Sequence, residues 1–285
     1  MTFIQFNNVS KRFMPADDGL EDVTFSVEPG EFIFVTGPSG AGKTTLLRLL
    51  TREYTPTGGE ILFQDQNIVQ LSKKLLPEHR RKIGVVYQDY RLVPELNVWE
   101  NVSLPLQINR VHDATIEQRV TDLLTLVGMT HKALLFPRQL SGGEAQRISI
   151  ARALALAPTV VFADEPTGNL DSETTKSIVE LLHKINSLGT TLFLATHDEV
   201  VLKMFPKQRQ IKLKNGTIEV DSHQEATKKT AAKPGKTHAK AVEKTAEPKT
   251  QEEEESDSPG DKPDTTETKS EKKTSNFLHR LLKRT

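Results

Sequence analysis

The chain has 285 residues with 38 basic and 38 acidic side chains, which gives a formal net charge of zero, and it contains no cysteine. The balanced charge argues against a nucleic-acid partner, while the absence of cysteine excludes disulfides and thiolate metal sites and fits a reducing compartment. Neither a signal peptide nor an apolar run near the ~20 residues that cross a bilayer is present, so we expect a cytosolic chain that only another protein would hold at a membrane.

Apolar periodicity predicts a series of short strands and two helical regions. In chain order, the strands cover residues 3–9, 23–27, 32–35, 60–63, 83–87, 159–163, 191–195, 211–213 and 217–220. Helical patterns cover residues 43–51 and about 98–157. The last two strands flank Lys214-Asn215-Gly216, which is a hairpin signal. The sequence therefore predicts an α/β core with a small antiparallel sheet and a helical insertion.

A change of composition near Asp221 divides the chain. Beyond it Lys, Glu, Thr, Pro and Ala dominate, and aliphatic side chains are almost absent until Phe277. A body of roughly 220 residues buries enough surface for a stable core, whereas such a tail cannot offset the entropy of ordering by burial. We therefore predict one folded domain over residues 1–222, a disordered charged linker over 223–275 and a short basic amphipathic segment over 276–285.

Residues 37–44 read Gly-Pro-Ser-Gly-Ala-Gly-Lys-Thr, a complete phosphate-binding loop between a predicted strand and a predicted helix. The glycines let backbone N–H groups point at phosphate oxygens, and the helix N-terminus adds partial positive charge. We predict that Lys43 reaches the β- and γ-phosphates of a nucleotide and that the Thr44 hydroxyl ligates Mg²⁺. The predicted nucleotide-binding residues here are Gly37, Pro38, Ser39, Gly40, Ala41, Gly42, Lys43, Thr44 and Thr45.

Two carboxylates, Asp164 and Glu165, follow an apolar strand. A solvated acidic pair is the commoner interpretation of such a strand end, but with a phosphate loop upstream a divalent cation explains why two anions lie together. We predict that Asp164 holds Mg²⁺ through water. Because side chains alternate along a strand, Glu165 points differently and can polarise the attacking water as a general base.

The segment Leu140-Ser141-Gly142-Gly143-Glu144 precedes a helical run that Pro158 stops. A serine hydroxyl and glycine amides at a helix N-terminus form an anion site. Alone, Ser-Gly-Gly is more often just a helix cap, but its position shortly before the strand that ends in Asp164 strengthens the functional interpretation. One anion site is enough for the phosphates held by the loop at 37–44. A second anion site at Ser141, Gly142 and Gly143 therefore predicts a second copy of the chain.

Gln88, His197 and Phe13 are weaker candidates. A strand-end glutamine such as Gln88 is usually polar filler, but its amide can contact the metal and the lytic water. A lone histidine is more often structural, although His197 as a neutral imidazole can hydrogen-bond a γ-phosphate. Phe13 is either core or stacked on adenine. The residues Gly168-Asn169-Leu170-Asp171 read first as a turn.

Residues 1 to about 222 resemble the ATP-binding-cassette (ABC) ATPases, because six motifs occur in order with ordinary spacing. The motifs are Walker A at 37–44, the Q-loop Gln88, the signature at 140–144, Walker B at 160–165, the D-loop at 169–171, which adds Asp171 to the nucleotide-binding residues, and the switch histidine His197. The resemblance implies a P-loop NTPase (RecA-like) core with a helical ABC-specific insertion at about 89–158. It also implies a head-to-tail homodimer that holds two ATP molecules between Walker A of one copy and Ser141 and Gly143 of the other.

Within that family, residues 83–102 and 163–171 resemble the bacterial cell-division ATPases. This resemblance implies a peripheral subunit at the cytoplasmic face of the cell membrane. Its partner would be an FtsX-like integral membrane protein, docked near Gln88–Asn101, that relays ATP-driven dimer closure to cell-wall hydrolases. Nothing is pumped in that interpretation.

Three alternatives stay open at this point. ATPases of lipoprotein-releasing and macrolide exporters share residues 163–171 and part of 83–102, so the chain is alternatively the ATPase of an exporter. A soluble ABC protein of translation or DNA repair fits less well, because the chain has one cassette and no long coiled-coil insertion. A binding module without hydrolysis is opposed by the intact Glu165, Gln88 and His197.

The segment 276–285 has an apolar and a basic side if it is helical. One face carries Phe277, Leu278, Leu281 and Leu282, and away from it lie Arg280, Lys283 and Arg284. That pattern suits an anionic membrane surface or a partner groove. So short a segment is not a stable free helix, and an inert end is the other interpretation. The long tail lies outside the family pattern, so the resemblance implies nothing about it.

Overall fold

The computed structural model describes residues 2–13 and 17–223. The strands there are β1 Ile4–Phe13, β2 Asp17–Val27, β3 Phe32–Thr36, β4 Gly58–Phe63, β5 Gln66–Asn67, β6 Ile83–Tyr87, β7 Val160–Asp164, β8 Thr191–Ala195, β9 Arg209–Lys214 and β10 Thr217–Asp221. The α-helices are α1 Lys43–Leu50, α2 Leu76–Arg81, α3 Val98–Ile108, α4 Asp113–Leu126, α5 Gly142–Ala153, α6 Ser172–Ser187 and α7 Glu199–Met204. The predicted linker beyond residue 223 and the segment 276–285 lie outside the described residues.

The strands form two sheets. The larger has the order β10-β9-β3-β8-β7-β6. Its strands from β9 to β6 run parallel, and β10 joins the edge antiparallel to β9. The smaller sheet is antiparallel, in the order β2-β1-β4-β5. The predicted α/β core with an antiparallel β subdomain is confirmed.

The carboxyl ends of the parallel strands β3, β8, β7 and β6 meet at one edge of the larger sheet. The register pairs Tyr87 with Asp164, Asp164 with Ala195, and Ala195 with Val35. The residues that continue the chain from these ends therefore emerge side by side: Gln88, Glu165, Thr196 and the phosphate loop. Open α/β sheets bind ligands in a crevice at this edge.

Alternating side chains of the buried strands divide the core into two clusters. On β7, Val161 and Ala163 pack with the helices α3 to α6, whereas Val160 and Phe162 pack with α1 and the antiparallel sheet. A period of two is what a strand sandwiched between two layers requires. The site thus lies at the edge of a sheet that is held from both faces.

The helices α3, α4 and α5 form a helical insertion inside the range 89–158. A capping box starts α3, in which Asn97 accepts from the Glu100 backbone N–H at 2.9 Å and Glu100 accepts from the Asn97 backbone N–H at 2.8 Å. The helical pattern does not run on unbroken, because Gly128 takes a left-handed φ of 73° after α4. The chain then makes short 3₁₀ turns before Ser141 caps α5.

The helices α2, α6 and α7 were not predicted. The longest, α6, had two sequence signals: an N-terminal cap at Asp171, and apolar residues such as Ile178 and Leu182 at helical spacing, which are buried. The turn interpretation of 168–171 was correct but stopped short of the helix that follows. The helices α2 and α7 have six residues each, which is too few for periodicity to reveal.

Candidate functional site

The phosphate loop runs from the end of β3 into α1 and is closely walled. Gly37 has φ 143°, and a Cβ there would lie 2.3 Å from the carbonyl oxygen of Leu213. Gly42, the residue before α1, has φ 106°, and a Cβ there would lie 2.7 Å from the carbonyl oxygen of Gly19. Both positions therefore require glycine for backbone conformation and for space.

The hairpin of β9 and β10 braces the loop from the outside. The backbone N–H of Gly216, in the hairpin turn, donates to the carbonyl of Ala41 at 3.3 Å, and the Gly216 carbonyl accepts from the N–H of Glu21 on β2 at 2.9 Å. A buried ion pair fixes the base of the hairpin, where Arg209 donates to both oxygens of Asp221 at 2.9 and 2.6 Å. Sequence analysis found the hairpin but not this role.

Lys43 is the buried cation of the site, with 5% of its surface exposed. Its Nζ donates to the carbonyls of Gly37 and Pro38 at 2.9 and 3.1 Å and lies 3.2 Å from Oε1 of Glu165. The ammonium group thus stands between the phosphate loop and the Glu165 carboxylate. Phosphate oxygens approaching the loop would meet it directly.

Thr44 and Asp164 lie together beside Lys43. The Thr44 hydroxyl donates to Oδ2 of Asp164 at 2.9 Å. Burial raises the pKa of the Asp164 carboxyl, and the hydrogen bond from Thr44 opposes that rise. In the described part of the chain, no three His, Cys, Asp or Glu side chains cluster as metal ligands. The oxygens of Thr44 and Asp164 nevertheless fit Mg²⁺, which keeps few protein ligands and takes the rest from phosphate and water.

Glu165 is turned away from Asp164 by the backbone. Its φ of 49° is left-handed, and its N–H donates to the carbonyl of Ala195 at 3.0 Å. A positive φ is uncommon outside glycine, and such residues cluster at active sites. Strand alternation predicts that the two carboxylates diverge, whereas in the structure β7 ends at Asp164 and the left-handed backbone of Glu165 turns its side chain.

His197 reaches the same carboxylate from the end of β8. Its Nδ1 lies 3.3 Å from Oε1 of Glu165, and 64% of its side chain is exposed. A buried structural histidine is thereby excluded at this position. Lys43 and His197 therefore both lie next to the carboxylate of Glu165, at its Oε1 atom.

Gln88 lies on the other side of the Glu165 loop. A Cβ on Gly168 would lie 2.6 Å from Nε2 of Gln88, so this amide rests on the backbone of Gly168. The side chain of Gln88 is exposed. The structure records no contact of this amide with Thr44 or Asp164, and the metal role of Gln88 stays a prediction.

Ser141, Gly142 and Gly143 make no hydrogen bond to the phosphate loop within residues 17–223. Ser141 caps α5, accepting from the N–H of Glu144 at 3.4 Å, and Glu144 returns a bond by accepting from the N–H of Ser141 at 3.0 Å. A Cβ on Gly143 would lie 2.3 Å from Cγ2 of Thr174 on α6. The signature glycines therefore also allow close packing, which sequence analysis missed.

Asp171 acts as the N-cap of α6. It accepts from the N–H groups of Glu173 and Thr174 at 3.1 and 2.9 Å and from the Thr174 hydroxyl at 2.7 Å. These bonds, the one from Thr174 first, lower the pKa of its carboxyl. The hydrogen bonds that Asp171 makes go to the first turn of α6, and its nucleotide role stays a prediction.

Phe13 ends β1 among polar and aromatic neighbours. Its ring meets the ring of Tyr54 edge-on at 5.1 Å, and Nζ of Lys11 lies 5.3 Å from the ring centroid. Phe13 is partly exposed, and its stacking on adenine stays a prediction. Lys11 and Tyr54 were not among the predicted site residues.

No helix in the described ranges is both long and apolar enough to cross a membrane.

A family model described as ABC transporter matches residues 20–168. The cell-division ATP-binding protein FtsE of Bacillus subtilis (strain 168) is 43% identical over 215 residues, which are 75% of this chain and 94% of that protein. FtsE of Escherichia coli (strain K12) is 44% identical over 195 residues, which are 68% of this chain and 88% of that protein. The solved dimeric structure of the ATP-binding cassette MJ0796 in a post-hydrolysis state, bound to ADP and Pi, has a TM-score of 0.70 and 35% identity over 77% of this chain and 98% of that one.

Proposed function

The chain belongs to the ABC transporter family of ATPases, so it binds nucleotide and hydrolyses ATP, and we propose that it is the ATPase of an FtsEX-type complex in bacterial cell division. The 43% identity with the FtsE of Bacillus subtilis, over 94% of that protein, supports the proposal most strongly. In this function ATP-driven closure of a homodimer passes through a membrane partner to cell-wall hydrolases. Family membership alone is equally compatible with an exporter, so the partner decides between them.

The proposed reaction begins with the phosphates of ATP on the loop at 37–44. Lys43 turns from the loop carbonyls to the β- and γ-phosphate oxygens. Thr44 and Asp164, with Gln88, would hold Mg²⁺, which would supply positive charge to the phosphates. Glu165 accepts a proton from the attacking water, and His197 donates a hydrogen bond to the γ-phosphate.

The position of the signature residues supports a homodimer. In the described structure Ser141 and Gly143 belong to the helical insertion, bonded to α5 and packed on α6, and none is bonded to its own phosphate loop. The N-terminus of α5 can receive the γ-phosphate held by a second copy. Each nucleotide is then enclosed by Walker A of one copy and the signature of the other.

The partner is proposed to be an FtsX-like integral membrane protein that docks on the helical insertion. Sequence analysis expected docking near Gln88–Asn101. A cavity of about 860 Å³ lies among α2, the end of α3 and α4, and includes Glu78, Leu106 and Val111. Ile108 beside it is 71% exposed. We place the partner contact at this cavity, because exposed apolar side chains beside a cavity favour protein binding.

The cellular location is proposed to be the cytoplasmic face of the cell membrane. The partner supplies most of the attachment, and the segment 276–285 adds a peripheral contact with anionic lipid through its apolar and basic residues. If deleting 276–285 leaves membrane association unchanged in cells that lack the partner, this contact is wrong.

Purification of the complex from membranes tests the proposal. We expect the full chain to copurify with an integral membrane protein of four spans and a large external loop; a partner associated with lipoprotein or macrolide export would contradict the division function.

Ile108→Glu should abolish copurification with ATP binding unchanged. The matched control is Leu134→Glu, which also alters an exposed aliphatic side chain, 79% exposed, but close to the start of α3. Loss with Leu134→Glu alone would move the docking site to the Gln88–Asn101 side.

A further inference from the structure

Arg152, near the end of α5, binds the backbone that follows Gln88. Its Nη1 donates to the carbonyl of Arg91 at 2.6 Å and its Nη2 to the carbonyl of Tyr90 at 2.8 Å. Its planar guanidinium presents several N–H donors in a rigid fork, and two of them match the two successive carbonyls here. A helix of the insertion thus holds the loop of a predicted catalytic residue by two bonds.

The loop segment held in this way has an unfavourable backbone. Tyr90 and Arg91 are consecutive non-glycine residues with left-handed φ values of 58° and 48°, and the Arg91 N–H closes a tight turn onto the carbonyl of Asp89 at 2.6 Å. Such a conformation persists only where the surroundings enforce it. The two hydrogen bonds from Arg152 are accepted by the carbonyls of these same two residues, Tyr90 and Arg91.

Arg152 is itself unusual, because it is partly buried without an acidic partner. Within residues 17–223 no carboxylate lies within ion-pair distance of it, and burial lowers the pKa of its guanidinium. A neighbouring arginine on the same helix offers a contrast. Arg147 donates to the carbonyl of Val127 at 3.1 Å and to the hydroxyl of Ser177 at 2.5 Å, so it ties α5 to other helices and not to the loop.

A second contact joins the same loop to the other end of α5. A Cβ on Gly142 would lie 2.8 Å from the hydroxyl oxygen of Tyr90, so that hydroxyl rests against the first signature glycine. Tyr90 is therefore tied to α5 at two points, with its carbonyl bonded by the Arg152 side chain and its hydroxyl against Gly142. On the opposite side of the loop, Gln88 rests on Gly168, in the segment between Glu165 and α6.

We infer that Arg152 is a positioning residue that locks the backbone at Tyr90 and Arg91 to α5, so that the signature helix sets the place of Gln88. A displacement of α5 by a partner or a second copy then moves Gln88 with it. The inference rests on the proposed role of Gln88 in hydrolysis, and it assigns to Arg152 a function in the reaction without any contact to nucleotide.

A double-mutant cycle in the full chain tests whether Arg152 acts on hydrolysis through Gln88. Arg152→Lys replaces the rigid fork by a single ammonium nitrogen on a flexible stem, which cannot fix the two carbonyls in the same geometry. We expect it to lower kcat about tenfold while the Kd for ATP changes less than about twofold. Added to Gln88→Ala, it should cause no further loss, because both act at one place. Arg147→Lys is the control, which should lower Tm without lowering kcat. An additive loss in the Arg152 cycle overturns the inference.

Limited proteolysis tests the structural arm without any hydrolysis. Trypsin cleaves after Arg91 only when the loop opens, and cleavage at the Arg91–Leu92 bond, identified by mass spectrometry, should rise about tenfold in Arg152→Lys. In the Arg147→Lys control it should stay at the wild-type rate. Arg152→Gln serves if the lysine variant does not fold. Equal cleavage in all folded variants contradicts the lock. Faster cleavage with an unchanged kcat contradicts the role of Arg152 in positioning Gln88. This result does not depend on whether the chain acts in cell division.

Discussion

The phosphate-loop half of the site and the signature half differ in how their polar groups are satisfied. In the first half, Lys43, Glu165 and Asp164 contact one another or the loop within 3.2 Å, and Lys43 is buried. In the second, Ser141 and Asp171 cap the helices that they precede, and both are exposed. The first half is assembled by one chain. The second half is exposed, and we propose that it binds the nucleotide of a second copy.

The contrast teaches where control of the reaction lies. A preorganised charge cluster performs chemistry whenever its substrate is complete. In the proposed shared site, completion would depend on donors that a second copy supplies, so we expect association and not the cluster to set the rate. Variants in the two halves should therefore fail in different ways.

Glu165→Gln should have the largest effect, with kcat falling about a thousandfold, since a positioned general base contributes roughly 10²–10⁴. ATP binding should persist, because the amide oxygen still accepts from Lys43, and the closed dimer should accumulate on size-exclusion chromatography. Glu219→Gln, which removes an exposed carboxylate on β10, is the control and should keep full turnover. A wild-type rate in Glu165→Gln would remove that residue from the base role.

Gly143→Ala tests packing in the signature half. The new methyl would meet Cγ2 of Thr174 at 2.3 Å, and overpacking of this kind costs about 1–3 kcal/mol. Thr174→Ser removes that methyl and keeps the hydroxyl that bonds Asp171, so the double variant should recover most of the lost Tm. If stability recovers while turnover does not, Gly143 also serves the nucleotide of the other copy. Unchanged stability in Gly143→Ala would contradict the close approach of α5 and α6.

Asp164→Asn should change stability least, and it should raise the Tm, whereas Gly143→Ala lowers it. Burial raises the pKa of this carboxyl, so its stabilising contribution is complete below the ordinary pKa of aspartate and is lost as pH rises through the raised value. At pH 7 the buried charge opposes folding. The substitution should raise Tm by about 1–3 °C while turnover is lost, and the gain should vanish at low pH. A lower Tm at pH 7 would show that the carboxylate is favourably bound.

Local sequence carried much of the fold and the first half of the site. The phosphate loop, the strand ending at Asp164 and the hairpin at Asn215-Gly216 are set by neighbouring residues, so short windows reveal them. The left-handed Glu165 depends on how β7 ends, and the Gly216 bond to Ala41 joins segments 175 positions apart along the chain. No local pattern encodes such contacts. The helix α6 is a different case, since its cap and apolar stripe were readable.

Mixing two inactive variants tests the shared site most directly. Lys43→Ala damages the phosphate loop and Ser141→Arg damages the signature, so in a head-to-tail heterodimer one of the two sites combines only intact halves. With equal amounts and random pairing, half of the dimers are mixed, and turnover should recover to about a quarter of the wild-type rate. A mixture no more active than its separate components would mean that each polypeptide works alone.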